Sequence, residues 1–228
     1  MTTRNLGFHP EPIGAIRAVD EHRQYWKPRR VRVLLLAESH VYTDEDVSLN
    51  YANQGTRAVP PAPFVRLVYC LAYGEKSLLR ATVENNRGTW QFWKILRECT
   101  DKPNARILKK EEPNDRLRIQ YKIEVLTTLR SSGVWLQDAS IVALYRKGTK
   151  PSKRVREQIV SQCWGDYILP TINHDRPQTV VAIGEHVFQI LKRQSSGDVI
   201  SDYIKQPQGC RKKGEFDSEL KKLRSIVQ

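Results

Sequence analysis

The fold of this chain is set by the stretch Val31-Arg-Val-Leu-Leu-Leu-Ala-Glu-Ser-His-Val-Tyr42. An apolar run, broken only by Arg32, ends abruptly at Glu38, Ser39 and His40. Such a run is too short to cross a membrane and is typical of a strand buried on both faces of a parallel sheet. Because ligands of open parallel sheets bind beyond the carboxyl ends of the strands, the stretch predicts a functional site at these three residues. An ordinary loop whose polar side chains meet water is the alternative interpretation.

Further apolar runs predict the rest of the sheet. Residues 179–184 have the pattern of a buried strand that turns into a helix. A second strand is predicted over 140–144, entered through a polar step at Gln137-Asp138, and an extended run within 199–209 ends in a loop. These segments have the order expected of strands that alternate with helices.

Helical periodicity predicts the elements between the strands. The predicted helices cover residues 13–25, 64–73, 89–97, 119–132, 152–169, 185–193 and 216–227. We interpret the stripe of Trp90, Trp93 and Ile95-Leu96 as core packing rather than a base-stacking platform. The pattern predicts one α/β domain over 1–228, a three-layer α/β/α fold around a mostly parallel four-stranded sheet. The charged, Pro-broken residues 101–118 indicate an exposed insertion, with a domain boundary as the alternative.

The composition indicates a polyanionic partner. Lys and Arg outnumber Asp and Glu by 38 to 25, which gives a net charge of +13. This balance is typical of nucleic-acid-binding proteins, although a merely soluble basic protein would share it. No segment approaches the roughly 18 apolar residues that span a bilayer, and the N-terminus lacks the apolar core of a secretory signal. We therefore expect a cytoplasmic or nuclear protein without membrane contact, and the excess positive charge favours a monomer.

The cysteines give no sign of a metal or disulfide framework. Cys70, Cys99, Cys163 and Cys210 lie far apart and form no C-x-x-C pair, which argues against a zinc knuckle. An iron–sulfur cluster built from four dispersed cysteines is the alternative. We expect reduced thiols, no metal and no cofactor.

Three segments stand at predicted strand or loop ends, namely Ala37–Tyr42, Gly133–Ala139 and Gln206-Pro207-Gln208. In their order along the chain they resemble motifs of the uracil-DNA glycosylase superfamily. Ala37–Tyr42 stands where the family's first motif, Gly-Gln-Asp-Pro-Tyr-His or Gly-Glu-Ala-Pro-Gly, follows the first strand. Gly133–Ala139 is similar to the family's Gly-Val-Leu-Leu-Leu-Asn-Ala, with Asp138 in place of the base-reading Asn. Gln206-Pro207-Gln208 resembles the second motif, His-Pro-Ser. The chain departs from the family by lacking the Gly and Pro of the first motif and by carrying Asp138 and Gln206 for Asn and His.

The resemblance implies a uracil-DNA glycosylase-like fold and a DNA glycosylase that hydrolyses the N-glycosidic bond of a damaged or deaminated base in base excision repair. Glu38 would stabilise the cationic sugar and position water, while the Gln206 amide would stabilise the departing base. The base, flipped from its strand, would meet Asp138, Ser39, His40 and Tyr42. Since ionised Asp only accepts hydrogen bonds, we expect a base with a donor edge to be preferred over uracil.

Each of these assignments has a plainer alternative. Asp138 could be a helix or loop cap, and His40 could be a surface histidine or contact the DNA backbone. The resemblance implies DNA contacts, on single or double strands, from Gln208, Arg211, Lys212 and Lys213, whereas a solvated basic turn would need no partner. No apolar wedge for base flipping is evident in the sequence.

Two other function classes stay open. One is a catalytically weak or inactive nucleic-acid-binding protein on the same fold, which the missing motif His and Asn favour. The other is an unrelated α/β hydrolase or nucleotide-binding domain, which the lack of a Gly-rich phosphate loop or a nucleophile elbow disfavours.

Overall fold

The computed structural model describes residues 8–44, 63–146, 149, 151–195 and 199–228. Within these ranges, four parallel strands form one sheet in the order β2-β1-β3-β4. The strands are β1 (Val33–Ala37), β2 (Val134–Asp138), β3 (Thr179–Ile183) and β4 (Asp202–Ile204). The predicted α/β fold with a parallel four-stranded sheet is confirmed.

Strand β1 lies between two partners, which explains its apolar sequence. Val33 pairs in register with Val134 of β2 on one side and with Thr179 of β3 on the other. All five residues of β1 are buried. A strand with neighbours on both edges and packed side chains on both faces has no position that favours a polar residue.

The second strand does not lie where the sequence predicted it. Residues 140–144 are irregular, and β2 is Val134–Asp138, buried along its whole length. The sequence pattern places Gln137 and Asp138 before the strand, whereas in the structure they are its last two residues. Asp138 is instead buried at the carboxyl end of β2, where Arg23 neutralises its charge.

Seven α-helices flank the sheet in the described part of the chain. They are α1 (Ile13–Tyr25), α2 (Trp90–Glu98), α3 (Asp115–Ser132), α4 (Lys153–Cys163), α5 (Leu169–Asp175), α6 (Glu185–Gln194) and α7 (Glu215–Val227), with a π-helical turn, Trp164–Ile168, joining α4 to α5. Ser152 caps α4 as predicted, because its side chain accepts a hydrogen bond from the Val155 N–H. None of these helices combines the length and apolar character needed to span a membrane.

The predicted helix over 64–73 is wrong. These residues form a series of turns, although most of their side chains are buried. Asn86 holds the end of the segment, because its side chain accepts from the Gly74 N–H at 2.6 Å and donates to the Ala72 carbonyl at 3.0 Å. The backbone groups that a helix would have paired internally are satisfied here by a distant side chain.

Two other expectations also need correction. The charged segment over 101–118 is not wholly exposed, because Ile107 and Leu108 are buried and α3 already begins at Asp115.

In the aromatic stripe of α2, Trp93 is buried as predicted, but Trp90 is 50% exposed. Trp90 therefore lies outside the core.

Candidate functional site

The carboxyl edge of the sheet brings together three of the predicted residues. Glu38 follows β1, and Asp138 ends β2 beside Ala37. Gln206 reaches the end of β3, where its Nε2 donates to the Ile183 carbonyl at 3.0 Å. Gly184 has a φ of 114° and leaves room for this side chain, since a Cβ there would lie 3.4 Å from Gln206 Nε2.

A tyrosine and an arginine hold the Glu38 carboxylate. The Tyr145 hydroxyl donates to Glu38 Oε2 at 2.8 Å, and Arg156 Nη1 donates to the Tyr145 oxygen at 2.8 Å. Arg156 Nε lies 3.5 Å from Glu38 Oε1. Burial raises the pKa of Tyr145, and the Glu38 carboxylate raises it further, so this hydroxyl keeps its proton. In the described part of the chain, Glu38 Oε1 accepts no hydrogen bond.

A histidine lies close to this group at the start of α6. Burial lowers the pKa of His186, and the positive charge of Arg156 lowers it further, while Glu38 acts in the opposite direction. The net shift keeps the imidazole neutral at pH 7. His186 Nε2 is buried and has no hydrogen-bond partner among the described residues. Sequence reasoning missed Tyr145 and Arg156, because only tertiary contacts bring them to Glu38. It also missed His186, whose pKa responds to the charges of Arg156 and Glu38.

His40 and Asp138 belong to a buried charge network instead of an open pocket. His40 Nε2 lies 2.5 Å from Glu11 Oε1, and His40 Nδ1 lies 3.0 Å from Asp138 Oδ2. Arg23 forms an ion pair with the same Asp138 oxygen. No side chain of this network is more than 5% exposed. The polar atoms of Asp138 and His40 are thus taken up by each other and by Glu11 and Arg23, and contact of these two residues with a flipped base stays a prediction.

The network is charge-balanced when His40 is protonated. Burial lowers the pKa of His40, but its hydrogen bonds to Asp138 and Glu11 and their negative charges outweigh that effect, so the pKa is raised. Burial opposes ionisation of Asp138, yet Arg23 and His40 lower its pKa overall. Two carboxylates then face one imidazolium and one guanidinium.

This network predicts how stability depends on pH. The raised pKa of His40 contributes stability that is complete below its ordinary value of 6.5 and is lost as the pH rises through the folded-state value. The lowered pKa of Asp138 contributes stability that is complete above its ordinary value of 3.8 and is lost as the pH falls through the folded-state value. We expect the contribution of this network to the free energy of unfolding, measured with urea as the difference between the wild type and a variant without His40, to be largest between these two values.

Replacement of His40 by glutamine serves as the control for this pH profile. The His40→Gln variant should be less stable overall and should lose the decline on the alkaline side, because the titrating group is gone. An alkaline decline of the same steepness in both proteins would contradict the assignment to His40.

Ser39 and Tyr42 have other partners. The Ser39 hydroxyl accepts from the Leu144 N–H at 3.3 Å, so it fastens the segment that carries Tyr145. Tyr42 is buried under the guanidinium of Arg146, which lies 4.9 Å from the ring centroid. Both residues shape the surroundings of Glu38, and neither contacts its carboxylate through a hydrogen bond found in the described residues.

The basic loop after Gln206 is open to solvent. The side chains of Arg211, Lys212 and Lys213 are exposed. The backbone N–H groups of Arg211 and Lys212 donate to Glu215 Oε2, which fixes the loop at the start of α7. Gln208 is also exposed, and its Nε2 donates to Gln91 Oε1 of α2 at 2.9 Å. The loop therefore presents three cations beside the sheet edge.

We find no group of three or more His, Cys, Asp or Glu side chains that could hold a metal ion within the ranges that the structure describes. Glu11 and Asp138 contact opposite nitrogens of the His40 ring, so their oxygens do not converge on one point. The four cysteines are unpaired thiols, and burial raises the pKa of Cys70 to about 11. Such a thiol is protonated at neutral pH and is a poor metal ligand.

No family model, no curated protein and no solved structure matches this chain at a significant level. The resemblance to the uracil-DNA glycosylase superfamily therefore stays a prediction.

Proposed function

We propose that this protein, on a uracil-DNA glycosylase-like fold, hydrolyses the N-glycosidic bond of a damaged or deaminated base in DNA, with Glu38 as the catalytic carboxylate. The observation that supports the proposal is the position of Glu38. It follows the central strand at the carboxyl edge, and Tyr145 orients one of its oxygens. The other oxygen, Oε1, is buried beside Arg156 Nε at 3.5 Å and accepts no hydrogen bond from a described residue. An oriented carboxylate of this kind suits a reaction in which positive charge develops on a sugar.

The residues around Glu38 can supply the other parts of the reaction. When the glycosidic bond breaks, the sugar gains oxocarbenium character and the base leaves with the bonding electrons. Glu38 stabilises the sugar cation and orients a water molecule toward it. Neutral His186 can take the proton of that water through whichever ring nitrogen is unprotonated. One N–H of the Gln206 amide is bound to Ile183, and the second can donate to the departing base.

The charge distribution supports a nucleic acid as the substrate. The exposed Arg211, Lys212 and Lys213 lie in the loop that follows Gln206. There they can contact the phosphates on either side of a bound nucleotide. With a net charge of +13, the protein should bind DNA with an affinity that falls steeply as the salt concentration rises.

We propose that residues other than Asp138 recognise the base. Asp138 is committed to Arg23 and His40, and it helps to fix the end of β2. His186 and the acceptor of the Gln206 amide are two polar groups at the edge with capacity for a base. The donor-edge preference inferred from Asp138 is therefore not part of the proposal.

The test is release of a base from oligonucleotides that contain uracil, hypoxanthine or xanthine, in single and double strands. Glu38→Gln keeps an acceptor for the Tyr145 hydroxyl and removes the charge, and we expect it to slow release about a hundredfold. Glu124→Gln is the matched control, because it is the same replacement on α3, where Glu124 pairs with Lys102. Release by the Glu38→Gln variant at the wild-type rate would rule out Glu38 as the catalytic group.

A second function, nucleic-acid binding without catalysis, is favoured by one observation. The side chain that stands where the resembling family has its base-reading Asn is buried in an ion pair. If no oligonucleotide releases a base while salt-sensitive DNA binding persists, this second function replaces the first.

A further inference from the structure

A second site candidate lies at the start of α2. A cavity of about 390 Å³ opens between the turn that precedes α2, the segment 107–110 and helix α3. Its charged and aromatic lining residues include Arg87, Trp90, Trp93, Lys109, Lys110 and Lys122. Its volume is within the range of small-ligand pockets. None of the residues assigned above to the Glu38 site lines it.

The cavity wall carries an excess of positive charge. Arg87, Lys109, Lys110 and Lys122 line it, while Glu75 is the one carboxylate among the lining residues. Lys122 is only 3% exposed, and its Nζ lies 2.5 Å from Glu75 Oε1. The same carboxylate is shared with Arg118, whose Nη2 lies 2.6 Å from Oε2. The buried Lys122 and Arg118 thus share the carboxylate of Glu75, so Glu75 does not neutralise the cavity wall. The remaining positive charge favours an anionic ligand.

Other carboxylates do not cancel this excess at the cavity. Glu112 and Asp115 act on Arg118, but neither lines the cavity. Burial lowers the pKa of Lys122, Glu75 acts in the opposite direction, and the positive charges of Arg118 and Lys109 lower it further. A bound anion would relieve this repulsion between like charges.

An open aromatic surface adjoins the same cationic wall. The indole of Trp90 is half exposed and packs edge-on against Phe216 at a centroid distance of 6.4 Å. Lys94 Nζ lies 5.3 Å from the Trp90 ring centroid. Phe216 and Lys94 hold the indole in place while much of it stays open to solvent. A fixed and exposed aromatic ring beside lysines is the arrangement on which unpaired bases stack.

The hydroxyl of Thr89 is available to hydrogen-bond a polar group of the ligand. Thr89 lines the cavity and precedes α2. Thr89 Oγ1 is buried and makes no hydrogen bond to any residue that the structure describes. A phosphate oxygen in the cavity would satisfy this hydroxyl and the first N–H groups of the nine-residue helix α2.

We propose that this cavity binds one nucleotide of a single-stranded nucleic acid. The base stacks on Trp90, and the phosphate contacts Lys109, Lys110 and Thr89. A polymer fits better than a free nucleotide, because the hydrogen bond between Gln91 and Gln208 joins α2 to the exposed basic loop at Arg211–Lys213. In its choice of a nucleic acid, the inference rests on the proposed function, but it uses none of the groups around Glu38.

The test measures binding of fluorescein-labelled decathymidylate by anisotropy and binding of thymidine monophosphate by calorimetry. Normal thymine is used so that binding is observed without base release. We expect Trp90→Ala to weaken binding of the oligonucleotide about 5- to 100-fold, and Trp90→Phe to retain most of the affinity. The double replacement Lys109→Ala/Lys110→Ala should weaken binding and reduce its salt dependence by about two counterions.

The control removes two positive charges elsewhere, with Arg154→Ala/Lys192→Ala on the exposed surfaces of α4 and α6. Equal losses in this control and in the Lys109→Ala/Lys110→Ala variant would overturn the inference, as would unchanged binding by Trp90→Ala. Tight binding of thymidine monophosphate without binding of decathymidylate would overturn the polymer as ligand. Binding that depends on Trp90 in a protein that releases no base would support the inference while refuting catalysis at Glu38. Base release that depends on Glu38 and not on Trp90 would support catalysis at Glu38 and would refute the inference about Trp90.

Discussion

Replacement of Arg23 by methionine is expected to lower the free energy of unfolding by about 3–5 kcal/mol, because it leaves a buried carboxylate without its guanidinium partner. Arg23 is 2% exposed and pairs with Asp138, which is 4% exposed. Water cannot reach either charge well enough to replace the lost ion pair. Urea unfolding of the variant and the wild type at the same pH measures the difference.

Two further variants test whether the loss comes from the unpaired charge. Arg23→Met combined with Asp138→Leu removes both members and should be more stable than Arg23→Met alone. Lys153→Met is the surface control, since Lys153 Nζ lies 4.0 Å from Glu157 and its side chain is 75% exposed. The surface pair should contribute less than about 0.5 kcal/mol. Similar losses in the free energy of unfolding for Arg23→Met and Lys153→Met would show that the buried ion pair contributes no more to stability than the surface pair.

Replacement of Leu35 by alanine is expected to cost about 3–5 kcal/mol, because it opens a cavity at the centre of the sheet. Leu35 is the middle residue of β1 and is fully buried. It pairs in register with Leu136 on one side and Val181 on the other, so neither neighbouring strand can collapse freely into the space. The midpoint of urea unfolding should shift without a large change in the slope of the transition.

The comparison for Leu35→Ala is an apolar residue of similar size outside the core. Ile13 begins α1 and is 64% exposed. Its replacement by alanine should change the free energy of unfolding by less than about 0.5 kcal/mol. A loss at position 35 no larger than that at position 13 would mean that β1 is not the packed centre of the fold.

The parts of the fold that follow from local sequence were predictable. Continuous apolar runs identified β1 and β3, because a strand enclosed on all sides needs apolar residues throughout. Ser152 identified the start of α4, because its hydroxyl can satisfy a free N–H of the first turn. In each of these elements, the residues that decide the structure lie within the element or next to it.

The failures lie where a distant side chain decides the local structure. β2 was misplaced because the burial of Asp138 depends on Arg23, which comes from α1. The segment 64–73 was mistaken for a helix because Asn86 is what satisfies its last backbone groups. Both partners can be recognised only after the chain has been folded in three dimensions.

The candidate site was predictable in the same limited way. The carboxyl end of a buried strand indicated Glu38, and the structure does bring Gln206 and Asp138 to that edge. The sequence did not reveal that Tyr145 and Arg156 hold Glu38, nor that Asp138 faces inward. Proximity to a sheet edge follows from topology, whereas the direction of a side chain depends on which partner neutralises it.

The pairing of β1 also affects how the protein is made. Val33 is synthesised before its partners, residues 134 and 179, so β1 lacks both neighbours until the intervening segments have left the ribosome. At a synthesis rate of about 5–20 residues per second, the wait for β3 lasts on the order of ten seconds. During that time the unpaired Val33–Ala37 presents an apolar strand to other nascent chains and to chaperones. The central position that stabilises the finished sheet thus makes β1 the segment most in need of protection during translation.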